Sequence, residues 1–147
     1  MSKTVLVTGI SGFIGLYCAK ELLEKGYKVI GTVRNSAKRE EVINTFKKND
    51  INLKNLTFEI LELTSNNGWD KAIQDCEYVM HVASPFRIAN PKNENDMISP
   101  AVEGTRRVLE ASQKAGIKRV VLTSSIVSMM SSIRRGQFGP KDWTGLN

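Results

Sequence analysis

The chain has 147 residues, which is the length of one domain and is enough to bury a hydrophobic core. It is 41% hydrophobic and 24% charged, as globular proteins are, and it contains no run of about 20 apolar residues that would predict a transmembrane helix. The net charge is +6, but the basic residues are dispersed among acidic ones, so we expect neither a nucleic-acid partner nor a membrane partner.

Strand and helix patterns alternate along the chain. In chain order, the sequence predicts strand 5–7, helix 13–25, strand 27–33, helix 36–49, strand 56–61, helix 69–75, strand 78–82, helix 94–115 and strand 119–122. Residues 83–93 are expected to form a loop, and no element is predicted for residues 124–147. This alternation indicates an α/β fold, a doubly wound parallel sheet with helices on both faces.

Two of the predicted helices carry more detailed expectations. The second helix is expected to have Ser36 as its N-cap, because a serine hydroxyl can accept a hydrogen bond from the first turn. The last helix is expected to bury its apolar residues Met97, Ile98, Val102, Val108, Leu109 and Ala111.

The cysteines and the histidine are few and widely spaced. Cys18 and Cys76 lack the spacing of a metal site, so we expect no bound metal. Both are expected to be buried thiols in a reducing compartment, which predicts a cytoplasmic protein. His81 lies inside an apolar strand, so we expect a core or supporting histidine rather than an acid–base catalyst. Trp69 is expected to be a packing anchor.

A glycine-rich turn, GISGFIG, joins the first predicted strand to the first predicted helix. Gly9, Gly12 and Gly15 have the spacing G-x-x-G-x-x-G. Such a turn presents free backbone N–H groups and the positive end of the helix dipole, and glycine lets a phosphate approach closely. The pattern predicts a dinucleotide-binding turn of the Rossmann type. The competing interpretation is a glycine-rich turn without a ligand.

A basic residue stands at the end of the second predicted strand. NAD-specific proteins place an acidic residue about 20 positions after the glycines, where it holds the ribose hydroxyls. Here that place is taken by Arg34, nineteen residues after Gly15. A guanidinium forms charge-assisted hydrogen bonds with a phosphate, and Lys38 and Arg39 are near enough in sequence to help. The sequence therefore predicts NADPH, with its 2′-phosphate at Arg34; the alternative is a solvated loop cation.

Five segments together resemble the extended short-chain dehydrogenase/reductases. They are GISGFIG, TVRN, HVASPF, PAVEGTRRVLEAS and IKRVVLTSS, and they follow one another in the order and at the spacing of that family. The likeness is greatest to the dihydroflavonol-reductase-like branch, which contains plant flavonoid reductases and microbial aldehyde and ketone reductases. The resemblance implies a Rossmann-type sheet with strand order 3-2-1-4-5, incomplete relative to the full family fold.

The resemblance also implies roles for individual residues. Contacts with NADP(H) are implied for Gly9, Ser11, Gly12, Phe13, Ile14, Gly15, Arg34, Lys38, Glu62, Leu63, Val82, Ala83 and Ser84. Glu62 stands where many relatives have the Asp that meets the adenine amino group. Residues 82–84 are implied to lie beside the ribose and nicotinamide. Ser125 is implied to be the catalytic serine that holds the substrate carbonyl, although a serine at a strand end can also simply cap a loop.

One part of the family's active site is not in the sequence. In the family a tyrosine donates the proton, and a lysine four residues later lowers its pKa. None of the three tyrosines of the chain is followed by a lysine at that distance. We therefore expect the chain to be the cofactor-binding part of a longer reductase. Residues 1–123 would form the NADP-binding domain, and residues 124–147 the active-site serine loop that begins the substrate-side region.

The function implied by the resemblance is NADPH-dependent reduction of an aldehyde or ketone to an alcohol, with a small-molecule carbonyl substrate. Two alternatives remain open, a non-catalytic NADP(H)-binding or sensing module and an extended-family nucleotide-sugar epimerase or dehydratase. Arg34 disfavours the latter, because such relatives more often carry an acidic residue there. Strand 119–122 is expected to leave an open sheet edge, which predicts self-association as well.

Overall fold

A computed structural model describes residues 2–85 and 93–126, together with residues 128, 136, 139 and 141. Its elements in chain order are β1 (Thr4–Thr8), α1 (Phe13–Glu24), β2 (Lys28–Val33), α2 (Ser36–Lys48), β3 (Leu56–Ile60), α3 (Trp69–Ile73), β4 (Tyr78–His81), α4 (Asn95–Lys114) and β5 (Arg119–Leu122). Most of residues 124–147, and residues 86–92 of the predicted loop 83–93, lie outside the described residues.

The five strands form one parallel sheet in the order β3-β2-β1-β4-β5. This arrangement confirms the predicted fold and strand order. The register pairs Val7 with Gly31 on one side, and Thr8 with His81 on the other. Because the strands are parallel, the carboxyl ends of β1, β2 and β4 meet at one edge of the sheet. This edge lies where the chain order reverses, which is where doubly wound folds bind ligands.

Successive strand residues point to opposite faces of the sheet, so both faces carry apolar side chains. Helices cover both of these faces. The core on the face toward α3 and α4 includes Leu6, Trp69, Ile73, Val79, Val108 and Ala111. The core on the face toward α1 and α2 includes Val5, Val7, Ala19, Val29, Val42 and Phe46. The apolar runs of the central strands are therefore buried on both sides, as a parallel sheet requires.

The start of α2 differs from the prediction. Asn35, not Ser36, is the N-cap, and its side chain accepts a hydrogen bond from the Lys38 N–H at 3.0 Å. Ser36 is the first helical residue. The asparagine side chain competes for the same orphan N–H groups one position earlier, which moves the start of the helix by one residue.

The prediction for α4 was wrong for four of its six apolar residues, since Met97 is only half-buried and three others are exposed. Ile98, Val102 and Leu109 are 50%, 57% and 41% exposed. The helix instead buries a stripe of mostly small residues that includes Gly104, Val108 and Ala111. At 3.6 residues per turn the exposed stripe lies about 130° around the helix from the buried one. The sequence prediction had merged two separate apolar stripes into one inner face.

The two cysteines occupy different environments and both are free. Cys76 is buried against the core, and burial raises the pKa of its thiol to about 11. Cys18 is only half-buried, so the expectation of two buried thiols is wrong for this one. It lies on α1 beside the core of that face rather than inside it.

Candidate cofactor-binding site

A groove with a volume of about 480 Å³ runs along the carboxyl ends of β1, β2 and β4. All thirteen residues for which the resemblance implied cofactor contacts line it. These residues are Gly9, Ser11, Gly12, Phe13, Ile14, Gly15, Arg34, Lys38, Glu62, Leu63, Val82, Ala83 and Ser84. The fold thus collects side chains and backbone from four separate segments into one continuous surface.

The glycine turn lies along the groove, and at two of its three glycines a side chain would clash with neighbouring atoms. Gly9 has a φ of 66°, and a Cβ there would lie 2.9 Å from the Ala83 Cβ. A Cβ at Gly15 would overlap the carbonyl oxygen of Gly9. At Gly12, by contrast, a Cβ would meet only that carbonyl oxygen, at 3.3 Å. The Gly12 position therefore opens into the groove, where a side chain would take up space otherwise free for a ligand.

The first turn of α1 faces the same groove. The helix begins after Gly12, which provides no side-chain cap, and there is no acidic residue in the first turn. The first N–H groups of a helix have no partner within it, and the helix dipole places partial positive charge there. This turn can therefore receive an anionic group such as a pyrophosphate, for which the open space above Gly12 leaves room.

Thr32, which the sequence analysis did not single out, fixes the turn to β2. Its hydroxyl accepts a hydrogen bond from the Gly9 N–H at 3.2 Å, and its carbonyl accepts one from the Ile10 N–H at 3.3 Å. Thr32 is buried and lines the groove. The signal available in the sequence was a polar residue within an otherwise apolar strand, directly before the strand end.

The basic residues after β2 have distinct positions. Arg34 is exposed and lines the groove. Lys38 also lines it, and its ammonium forms an ion pair with Glu41 at 2.6 Å. Arg39 lies over the ring of Phe58, at 5.9 Å from the centroid, and is not among the lining residues. Arg34 therefore has the side chain best placed to meet an anion at this end.

The loop after β3 forms the wall that carries Glu62 and Leu63. Trp69 donates hydrogen bonds to the carbonyls of Ser65, at 3.1 Å, and Glu62, at 3.4 Å. Arg107 of α4 donates to the Leu63 carbonyl at 2.8 Å. Trp69 is thus a packing anchor, as predicted, and it also lines the groove.

The opposite wall consists of the residues that follow β4. Val82, Ala83 and Ser84 line the groove, and the backbone N–H groups of Val82 and Ala83 both donate to the Thr8 hydroxyl at 3.0 Å. These bonds replace the sheet ladder, which explains why β4 ends at His81 and not at the predicted residue 82. His81 is buried, and burial lowers the pKa of its imidazole.

Ser125 lies beyond the end of β5, at the same edge of the sheet. It is exposed and is not one of the residues that line the groove. Its carbonyl accepts hydrogen bonds from the Ser128 N–H at 3.0 Å and from the Ser128 hydroxyl at 2.6 Å. Ser125 thus follows β5 at this edge of the sheet without lining the groove. Its catalytic role stays a prediction.

The described part of the chain contains neither a candidate membrane span nor a cluster of metal-ligating side chains. No helix there is long and apolar enough to cross a membrane. No group of three or more His, Cys, Asp and Glu residues is arranged to hold a metal ion in those same segments.

A parallel sheet of this order with a glycine turn at the switch point defines a Rossmann-type dinucleotide-binding protein. The model of the NAD dependent epimerase/dehydratase family matches residues 5–138. The chain belongs to this family, which confirms its resemblance to the extended short-chain dehydrogenase/reductases.

The chain is similar to several named reductases. It is 40% identical over 153 residues to a putative anthocyanidin reductase of Ginkgo biloba, covering 99% of this chain and 44% of that protein. It is 39% identical over 134 residues to a putative NADPH-dependent methylglyoxal reductase of Candida albicans, covering 87% of this chain and 39% of the relative. The chain thus spans less than half the length of these relatives.

A solved structure has the same fold. The crystal structure of Gre2 from Candida albicans in complex with NADPH matches at a TM-score of 0.84 and 35% identity. The match covers 99% of this chain and 45% of that one.

Proposed function

We propose that this chain binds NADP(H) in the groove and is the cofactor-binding part of an enzyme that reduces an aldehyde or ketone to an alcohol. The observation that carries the proposal is that the thirteen residues for which the resemblance implies cofactor contacts, from Gly9 to Ser84, line one groove. The name of the Candida albicans relative, a putative NADPH-dependent methylglyoxal reductase, supports the choice of NADPH and of a carbonyl substrate.

The groove offers complementary chemistry to each part of such a cofactor. We assign the pyrophosphate to the turn of Gly9, Gly12 and Gly15 and to the first turn of α1, where N–H groups and the dipole favour anions. Arg34, with Lys38 beside it, is assigned to the 2′-phosphate, because a guanidinium can make two charge-assisted hydrogen bonds with it. Glu62 is assigned to the adenine amino group.

The chemistry at the carbonyl needs a hydride, a hydrogen bond to the oxygen and a proton. NADPH supplies the hydride when it is bound. Residues 82–84 would form the wall beside the nicotinamide end, and the Ser125 hydroxyl would donate a hydrogen bond to the substrate oxygen, where negative charge develops. Its own carbonyl is held by Ser128, which keeps this segment of backbone in place.

The proton donor of the family is not among the residues of the chain. We propose that it is contributed from outside residues 1–147, with residues 1–123 as the NADP-binding domain and 124–147 as the start of the active-site serine loop. We further propose that the protein acts in the cytoplasm, because its two cysteines are free thiols.

No Tyr-x-x-x-Lys motif occurs within residues 1–147, and one second candidate function needs none. A chain that binds NADP(H) without a proton donor could sense the cofactor and report its state to a partner. This candidate requires binding without turnover under every condition, including when a proton donor from a longer chain is present.

The test is a turnover assay with NADPH and a panel of aldehydes and ketones. We expect no activity above background from the 147-residue chain, and activity from the protein extended through the reading frame beyond residue 147. Within the extended protein, Ser125→Ala should lower kcat by about 100- to 1000-fold, as loss of an oxyanion donor does. Ser124→Ala is the matched control and should keep most of the activity.

Three outcomes would change the proposal. Turnover by the 147-residue chain alone would show that one of its own groups donates the proton. An extended protein that binds NADPH but reduces nothing on the panel would favour the sensing module. Equal losses in the two serine variants would remove the special role of Ser125.

A further inference from the structure

The buried pair of Thr8 and His81 is a feature that the proposed function leaves unused. The two residues are partners in the register of β1 and β4, and their relative exposures are 0% and 1%. Leu6 and Val79, two residues before each of them, belong to the core on the α3 and α4 face. The alternation of a strand therefore places both side chains on that same face, side by side.

The hydrogen bonds of the Thr8 hydroxyl fix where its proton lies. The oxygen accepts from the N–H groups of Val82 and Ala83, both at 3.0 Å. A hydroxyl has two acceptor lone pairs and one proton, so these two bonds use its entire capacity as an acceptor. The third contact is with His81 Nδ1 at 2.8 Å, and here the hydroxyl can only donate.

This count determines the tautomer of the imidazole. Nδ1 must carry a lone pair to accept the Thr8 proton, so the proton of the neutral ring is on Nε2. A proton on Nδ1 would place two donors face to face and would force the hydroxyl to release one of the two backbone N–H groups. Burial of the ring also favours its neutral form, as the lowered pKa indicates.

The network reaches directly into the groove. Val82 and Ala83 lie beyond the last ladder residue of β4, and both line the groove. Ala83 sits against the glycine turn, so closely that a Cβ on Gly9 would lie 2.9 Å from its own Cβ. Any shift of the Ala83 backbone would therefore also displace the turn assigned to the pyrophosphate.

We propose that His81 is a positioning residue, which keeps the Thr8 hydroxyl as a double acceptor and thereby holds residues 82 and 83 against the glycine turn. The consequence for affinity rests on the proposed function, whereas the tautomer and the hydrogen bonds do not. A leucine at position 81 fills similar space but accepts nothing. An asparagine can offer its Oδ1 to the Thr8 proton.

The first measurement is the ¹⁵N spectrum of the imidazole in the purified, untagged chain without cofactor, since the sequence contains one histidine. We expect Nδ1 to be the unprotonated ring nitrogen and Nε2 the protonated one. Hydrogen exchange at Val82 and Ala83 should be about tenfold faster in His81→Leu than in the wild type, but not in His81→Asn. The Leu6 amide, inside β1, is the reference and should change little in either variant.

The second measurement is the affinity for NADPH of the wild type, of the two His81 variants and of two variants of Thr8. We expect about tenfold weaker binding for His81→Leu and for Thr8→Val, and near wild-type binding for His81→Asn and for Thr8→Ser. A protonated Nδ1 in the wild type would overturn the inference, as would equal exchange rates in the leucine and asparagine variants. If the wild type does not bind NADPH, the proposed function fails, while the tautomer and exchange results still decide this inference.

Discussion

Arg34 is the residue on which the choice between the two nicotinamide cofactors depends. It occupies the place where NAD-specific proteins carry an acidic residue, and it lines the groove with its side chain exposed. A charge-assisted hydrogen bond contributes about 1.5–3 kcal/mol, which corresponds to about ten- to 150-fold in affinity. Because solvent screens an exposed guanidinium, the lower part of that range applies here.

Replacement of Arg34 by Asp should therefore lower the affinity for NADPH by about tenfold or more and leave the affinity for NADH nearly unchanged. The carboxylate removes the attraction and repels the 2′-phosphate. Calorimetric titration of both cofactors into wild type and variant measures the effect. Arg39→Asp is the matched control with the same charge change, and its smaller effect is expected because Arg39 lies over Phe58. If both cofactors lose affinity equally in Arg34→Asp, the residue does not hold the 2′-phosphate.

At the scale of the element, the turn between β1 and α1 combines two demands on its glycines. Gly9 and Gly15 are required by the fold, because side chains there would collide with Ala83 or with backbone. Gly12 is required by the ligand instead, because its position opens into the groove. The same motif thus contains residues whose substitution should have different consequences.

Gly12→Val should abolish NADPH binding and lower the free energy of unfolding by only about 1 kcal/mol, the cost of a poor N-cap residue. Gly12→Ala should fall between the wild type and the valine variant in affinity. Urea unfolding and NADPH titration of the three proteins separate the two effects. NADPH binding of wild-type strength by Gly12→Val would show that the pyrophosphate does not pass over this turn.

The elements also show what a sequence can and cannot predict. Periodicity located the nine elements from β1 to β5, because apolar alternation and helical spacing are local properties of the chain. It misjudged α4, where two apolar stripes coexist and only tertiary packing decides that Val108 is buried and Val102 is exposed. Thr32 was missed for a similar reason, since its partner Gly9 is distant in sequence and becomes a neighbour only in the sheet.

At the scale of the whole molecule, the described chain leaves β5 at one edge of the sheet and β3 at the other. Val121 and Leu122 of β5 are 49% and 48% exposed. The β3 edge contains Glu59, and charge on an edge strand opposes pairing with another chain. β5 also carries a charged residue, Arg119, but at its first position, and the residues that follow it are apolar. We therefore expect the β5 edge to be the surface for self-association.

Light scattering of the 147-residue chain after gel filtration should show a mass that rises with protein concentration. Val121→Lys should shift the chain toward the monomer, because a lysine on an open edge disfavours strand pairing. Ile60→Lys places the same charge on the β3 edge and should leave the association unchanged. Association that persists in Val121→Lys would place the contact elsewhere, for instance at the exposed stripe of Ile98 and Val102 on α4.

The central claim is that the groove binds a dinucleotide and selects the one with a 2′-phosphate. Its most direct test is the ratio of the dissociation constants of NADPH and NADH, measured by calorimetry with the wild-type protein in one buffer of fixed salt concentration. We expect NADPH to bind more tightly by about tenfold or more, the contribution of one charge-assisted contact at Arg34. Binding of neither cofactor, or affinity for NADH equal to or above that for NADPH, would contradict the account.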